Sequence, residues 1–87
     1  MDTPHTSITD EHLKLLKRVV STPGIIGGKP RIDGTRVGVS HILEALAAGD
    51  TADEIVEDLP WLTHDDIKAA LIYGAYQAEQ SGVQAAE

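Results

Sequence analysis

Between residues 40 and 81 the sequence divides itself into short helical lengths. Gly49 and Pro60 are both stops: glycine takes the left-handed conformation of a helix C-terminus, and proline lacks the N–H a continuing helix needs. Each stop is followed by a hydroxyl residue three positions ahead of a carboxylate, Thr51 before Glu54 and Thr63 before Asp66. At that spacing the hydroxyl satisfies one orphan backbone donor and the carboxylate another. The pattern predicts helices over 40–48, 52–59 and 63–80, the first capped by Ser40. Their expected buried stripes are Ile42, Leu43, Leu46 and Ala47; Ala52, Ile55, Val56 and Leu59; and Ile67, Ala70, Leu71, Gly74, Ala75 and Ala78. The last helix would run roughly 27 Å and fade at Ser81-Gly82, leaving 81–87 as a flexible tail. Links of about three or four residues exclude a bundle of long parallel helices and favour a mainly α, tri-helical, helix-turn-helix-like domain.

The preceding residues read differently. Lys29–Val39, KPRIDGTRVGV, predicts a small N-terminal β-hairpin over 29–39, with Asp33-Gly34 as a two-residue type I′ turn and Ile32, Val37 and Val39 on its apolar positions. A lone hairpin is marginal in water. Its expected partner is Arg18–Ser21 or the same ribbon of a second chain. Pro23, Gly24, Gly27, Gly28 and Pro30 make 22–30 a loop. Gly24–Pro30 superficially resembles a phosphate loop, but the glycine spacing is one residue short and Pro30 stands where a hydroxyl should be. Residues 1–16 are read as an N-terminal arm before a single domain at 17–80. Within the arm, Thr9 can cap a short helix over 10–17, and pattern leaves helix and coil both open.

Eighty-seven residues make one small domain, and the aromatics are Trp61, Tyr73 and Tyr76 with no Phe. The core must come from Leu, Ile, Val and Ala, so a second copy is an expected source of burial and a homodimer the expected state. Cysteine is absent, which excludes disulfides and thiolate chemistry. No apolar run approaches about 18 residues and no leader pattern is present, so a soluble, cytoplasmic protein without membrane contact is expected. The net charge of −7 is unevenly spread: residues 1–36 carry +2 and residues 37–87 carry −9.

Catalysis finds no convergent set. His5, His12, His41 and His64 show no zinc-ligand spacing, and Asp65 and Asp66 have a sufficient task at the positive end of a helix dipole. No enzyme activity, metal or cofactor is expected. The same two carboxylates would repel phosphates if the last helix entered a DNA groove, since only Lys68 opposes them. Arg18, Lys29, Arg31 and Arg36 are the candidate residues for binding nucleic acid or another partner. On a dimer's two-stranded ribbon they could meet a major groove. The competing reading has them pairing with acidic helices or guarding a sheet edge. Trp61, Ile72, Tyr73 and Tyr76 are candidate protein-interface residues, because aromatics offer large area with a polar handle.

The stretch Val20–Val37, VSTPGIIGGKPRIDGTRV, followed by Ile42–Gly49 and Ile67–Ala75, resembles the prokaryotic family called domain of unknown function 433, also described as VapB-type antitoxin-like. The segment Gly27–Arg36 is the most specific part, and the resemblance covers about residues 17–79. It implies a homeodomain-like tri-helical fold preceded by strands, usually dimeric, and an antitoxin paired with a PIN-like ribonuclease toxin. Nothing carries over to residues 1–16. Two functions therefore stand as expectations: a non-enzymatic antitoxin that neutralises such a toxin and represses its own operon, or a stand-alone DNA-binding regulator that uses the basic hairpin of a dimer.

Overall fold

The computed structural model describes residues 9–81. It is mainly helical, with four helices and one two-stranded antiparallel sheet. The order is α1 (Asp10–Leu16), β1 (Val19–Val20), a 3-10 turn (Ile26–Gly28), β2 (Arg31–Ile32), α2 (Val39–Ala47), α3 (Ala52–Asp58) and α4 (His64–Ser81). The N-terminal residues 1–8 and the tail from 82 onward lie outside the described residues.

Helix α1 starts where Thr9 accepts a hydrogen bond from the His12 N–H at 3.1 Å. The segment read as an arm thus contains a helix, which lies along α4 with Leu15 buried. β1 follows at once and pairs with β2 in the register Val19 to Ile32 and Val20 to Arg31. This is the strand partner the sequence offered from within the chain.

The hairpin is only half formed. Arg31 makes an isolated bridge with Gly38, and Ile32 N–H donates to the Val37 carbonyl at 3.0 Å. The chain then enters α2 instead of continuing as a strand. The type I′ expectation fails at Asp33. Only Gly34 of the pair takes positive φ, at 82°, and Thr35 N–H closes the turn on the Ile32 carbonyl. The expected Ser40 cap is also corrected. α2 begins at Val39 with Gly38 in the cap position and no side-chain cap, because Val39 N–H is already held by the Pro30 carbonyl at 3.0 Å.

The other helix starts follow local chemistry. Thr51 and Glu54 form a complete capping box, and Thr63 and Asp66 exchange hydrogen bonds in the same way. Gly49, at φ 107°, closes α2. The core gathers Ile32, Val39, Ile42, Ile55, Leu62, Ile67 and Ala70, and Val19, Leu43, Leu46, Val56 and Tyr73 pack around it. Each large aliphatic side chain taken fully from water there contributes about 1.5–3 kcal/mol.

α4 is the spine, touching α1, α2, α3 and β1. Because neighbours grip it from several directions, its buried face is not the single stripe the periodicity predicts. Ala69 is fully buried, whereas Leu71 is 48% exposed and Ala75 and Ala78 are also exposed. Gly74 marks a close crossing: a Cβ built there would meet Leu43 Cδ1 at 3.0 Å.

Candidate functional site

The segment 31–37 forms a rigid loop whose every bond can be traced. Thr35 is its hub. Its hydroxyl donates to the Ile32 carbonyl at 2.8 Å and accepts from Val37 N–H at 3.0 Å. Asp33 N–H donates to the Arg18 carbonyl at 2.8 Å, which fastens the turn to the end of α1. Beneath it lies Arg31, 8% exposed. Its guanidinium donates to the Thr35 carbonyl at 2.9 Å and to Thr22 Oγ1 at 3.0 Å, so it clamps the turn to the preceding loop.

That preceding loop carries a strained residue. Ile26 adopts φ 42°, a left-handed conformation costly for a β-branched side chain. Its Cδ1 lies 3.5 Å from where a Cβ on Gly38 would stand, so packing against the start of α2 holds it there.

Together these loops line an open hollow of about 760 Å³. Its walls are Ile25, Val37 and Trp61, and its polar side comes from Arg31, Asp33, Thr35 and Arg36. Trp61 is 59% exposed. Arg36 is exposed too, and it forms no ion pair with any described residue. A cation and an indole thus flank one concavity.

The four basic candidates are not brought together. Arg18 is drawn to the start of α4, where it meets Asp66 at 3.1 Å and Asp65 at 3.7 Å. Arg31 is spent inside the loop framework. Lys29 is exposed at a second, smaller hollow of about 470 Å³, shared with Val39, Leu43, Tyr73, Gly74 and Gln77. Only Arg36 reaches the hollow beside Trp61 as an exposed cation.

The aromatic candidates also separate. Tyr73 is half-buried against the core, and its hydroxyl accepts from Gln77 Nε2 at 3.0 Å. Ile72 is half-buried in a shallow cleft between α1 and α4. Tyr76 is 42% exposed on the outer part of α4. Among the described residues no group of three or more histidines or carboxylates could hold a metal ion. His64 and Asp53, 2.7 Å apart, form an exposed link between α3 and α4. No helix among the described residues is long and apolar enough to cross a membrane.

Sequence reasoning missed Ile25, Asp33 and Thr35 as lining residues. The signal was present in Arg31 and Arg36, two arginines bracketing a turn. Read as a ribbon, they share one role. The turn in fact buries one and exposes the other.

The sequence profile of a family described as "Protein of unknown function (DUF433)" matches residues 19–74, which span the turn, its clamp, α2, α3 and the first part of α4. The chain belongs to the DUF433 family. A DUF433 member protein from Anabaena variabilis ATCC 29413, known from its crystal structure, superposes with a TM-score of 0.68 at 31% identity, over 79% of this chain and 69% of that one. An uncharacterized protein, y4eO, of Sinorhizobium fredii (strain NBRC 101917 / NGR234) is 40% identical over 55 residues. Those residues are 63% of this chain but 25% of y4eO, so this chain spans about a quarter of that relative's length. In this DUF433 chain the segment Gly27–Arg36 thus has a structural account: a turn at Gly34, a hub at Thr35, a buried clamp at Arg31 and an outward cation at Arg36.

Proposed function

We propose that this chain is a non-enzymatic, antitoxin-like binding protein that neutralises a PIN-like ribonuclease and acts as a cytoplasmic homodimer. One observation carries the reading: Arg36 is exposed, has no ion pair among the described residues and stands with the exposed Trp61 at the lining of one hollow. Interfaces concentrate their energy in such residues, since arginine and tryptophan supply charge, area and little disorder. Ribonucleases of that class gather carboxylates around a divalent cation, and a fixed guanidinium offered by a partner can occupy such a site. Exposed Leu71 and Tyr76 on α4, with Leu13 on α1, provide apolar area for a second copy on so small a domain. A homeodomain-like, helix-turn-helix arrangement of α2–α4 and repression of the operon belong to the same proposal.

The test is co-expression with the product of the adjacent reading frame, with a tag on one protein only. Co-purification with loss of ribonuclease activity is the expected result, and Arg36→Glu should weaken the complex by at least about tenfold. Elution of this chain alone would remove the antitoxin reading. Unchanged affinity in Arg36→Glu would remove the role of Arg36.

The alternative, a DNA-binding regulator reading the groove with a basic ribbon, has less geometric support. The strands are two residues each, and Arg18 and Arg31 are already engaged. It predicts salt-dependent binding to the chain's own promoter fragment, and no binding at about 50 mM salt would refute it.

A further inference from the structure

We propose that the hollow between the 31–37 loop and Trp61 is a binding site for a nucleoside 5′-phosphate. The inference goes beyond the antitoxin reading and does not rest on it.

It starts from Arg31. An arginine more than nine-tenths buried normally faces a carboxylate, because an uncompensated charge in a low-dielectric interior is costly. Arg31 has no such partner: no carboxylate among the described residues lies within ion-pair distance. Its bonds go to a carbonyl and a hydroxyl, both neutral, and its buried Nε has no acceptor. The fold therefore holds a net positive charge at the wall of the hollow.

Arg36 adds a second, exposed guanidinium to the same lining. The backbone N–H groups of Gly34 and Arg36 have no acceptor among the described residues, which leaves two further donors on this turn. Asp33 is the one carboxylate on the lining, opposed by both arginines. In a chain of net charge −7, this is a local site for an anion. Phosphate suits it best, since guanidinium and backbone N–H groups together match its oxygens.

The other wall selects a planar group. Trp61 and Ile25 form an apolar face, and an exposed indole stacks on a base whatever its sequence. At about 760 Å³ the hollow has the capacity of a small-ligand pocket. A long nucleic acid would also have to pass the acidic helical half, which repels it. One nucleotide, free or at the phosphorylated 5′ end of a short RNA, fits the same chemistry without that penalty.

The chain's single tryptophan lies in the proposed site, so its fluorescence reports occupancy directly. The full chain is titrated with adenosine 5′-monophosphate, adenosine, inorganic phosphate, and a trinucleotide with and without a 5′-phosphate. The monophosphate should cause a saturable change, with adenosine and phosphate each at least about tenfold weaker. Arg36→Ala should weaken the monophosphate by about tenfold and leave adenosine unchanged, because one charge-assisted contact is lost. A phosphorylated trinucleotide binding more tightly than the monophosphate assigns the RNA end, and equal binding assigns the free nucleotide. The proposal is overturned if the monophosphate gives no saturable change at about 1 mM, the weak end of specific binding. It is equally overturned if Arg36→Ala binds the monophosphate as well as the parent, or if an acidic peptide binds more tightly than the monophosphate. Arg36 is exposed and outside the core, so its replacement does not threaten folding. Co-purification with a toxin is a separate readout, and neither failure implies the other.

Discussion

Asp66 stitches the first third of the chain to the last helix, and replacing it with asparagine tests that directly. The residue is 6% exposed. One carboxylate oxygen accepts from Thr63 N–H at 2.9 Å, and the other accepts from Arg18 Nη1 at 3.1 Å. An amide of the same shape has a single oxygen. Whichever donor it serves, its NH₂ group is turned on the other donor, either a guanidinium or an orphan helix N–H. A hydrogen bond involving a charged group contributes about 1.5–3 kcal/mol. Arg18 is 42% exposed, so water relieves part of its loss and the lower end applies. Loss of a negative charge from the first turn of α4 adds about 0.3–1 kcal/mol. Asp66→Asn should therefore cost about 2 kcal/mol, which in a domain of this size lowers the melting temperature by about 8–16 °C. Urea unfolding followed by far-ultraviolet circular dichroism gives the free energy and, through its slope, shows whether the end states are unchanged. Arg18→Met should cost less, about 0.5–1 kcal/mol, because its removal leaves the Thr63 bond intact. A loss below about 0.5 kcal/mol in Asp66→Asn would show that the link carries no stability. An Arg18→Met loss as large as that of Asp66→Asn would show that the cap at Thr63 contributes nothing.

Substitutions at three more positions probe the packing and a helix cap. Ile42→Ala, at a fully buried core position, should cost about 2–5 kcal/mol in the same urea experiment and leave little folded protein on heating. At Gly74, alanine should stay within about 1 kcal/mol of the parent, since its helix propensity offsets the 3.0 Å approach to the flexible end of Leu43. Isoleucine there should cost about 1–3 kcal/mol more by overpacking, and equal stability of the two variants would remove the close-crossing argument. Thr51→Ala removes one half of the α3 capping box and should cost about 1 kcal/mol, read from the urea midpoint.

What was legible in the sequence was what neighbours decide. The boxes at Thr51–Glu54 and Thr63–Asp66 and the stop at Gly49 are contacts over three or four residues, so their spacing states their structure. The strand Val19–Val20 needed a partner beyond the 22–30 loop, and apolar alternation around Ile32 supplied it. Elsewhere the outcome depends on distant atoms. Ser40 has the chemistry of a cap, but the Pro30 carbonyl holds Val39 N–H and starts α2 earlier. Leu71 sits on the predicted stripe of α4 and is exposed, whereas Ala69, off that stripe, is buried. Periodicity assumes one covered face, and α4 is covered from several directions. The candidate site is a similar case. Arg31 and Arg36 are equivalent as letters, and only Thr22 and the Thr35 carbonyl, converging from two loops, send one inward and leave the other outside.

The position of α4 also bears on how the protein is made. It packs against α1, α2, α3 and β1, yet it is the last of them to be synthesised. Until residues up to about 81 have left the ribosome, the apolar stripes of α2 and α3 lack the surface of α4 to close on, and short helices are marginal alone. The earlier elements thus stay open until α4 has emerged. Closure of the core waits for α4, with Ile42 and Ile55 available to chaperones and proteases in the interval.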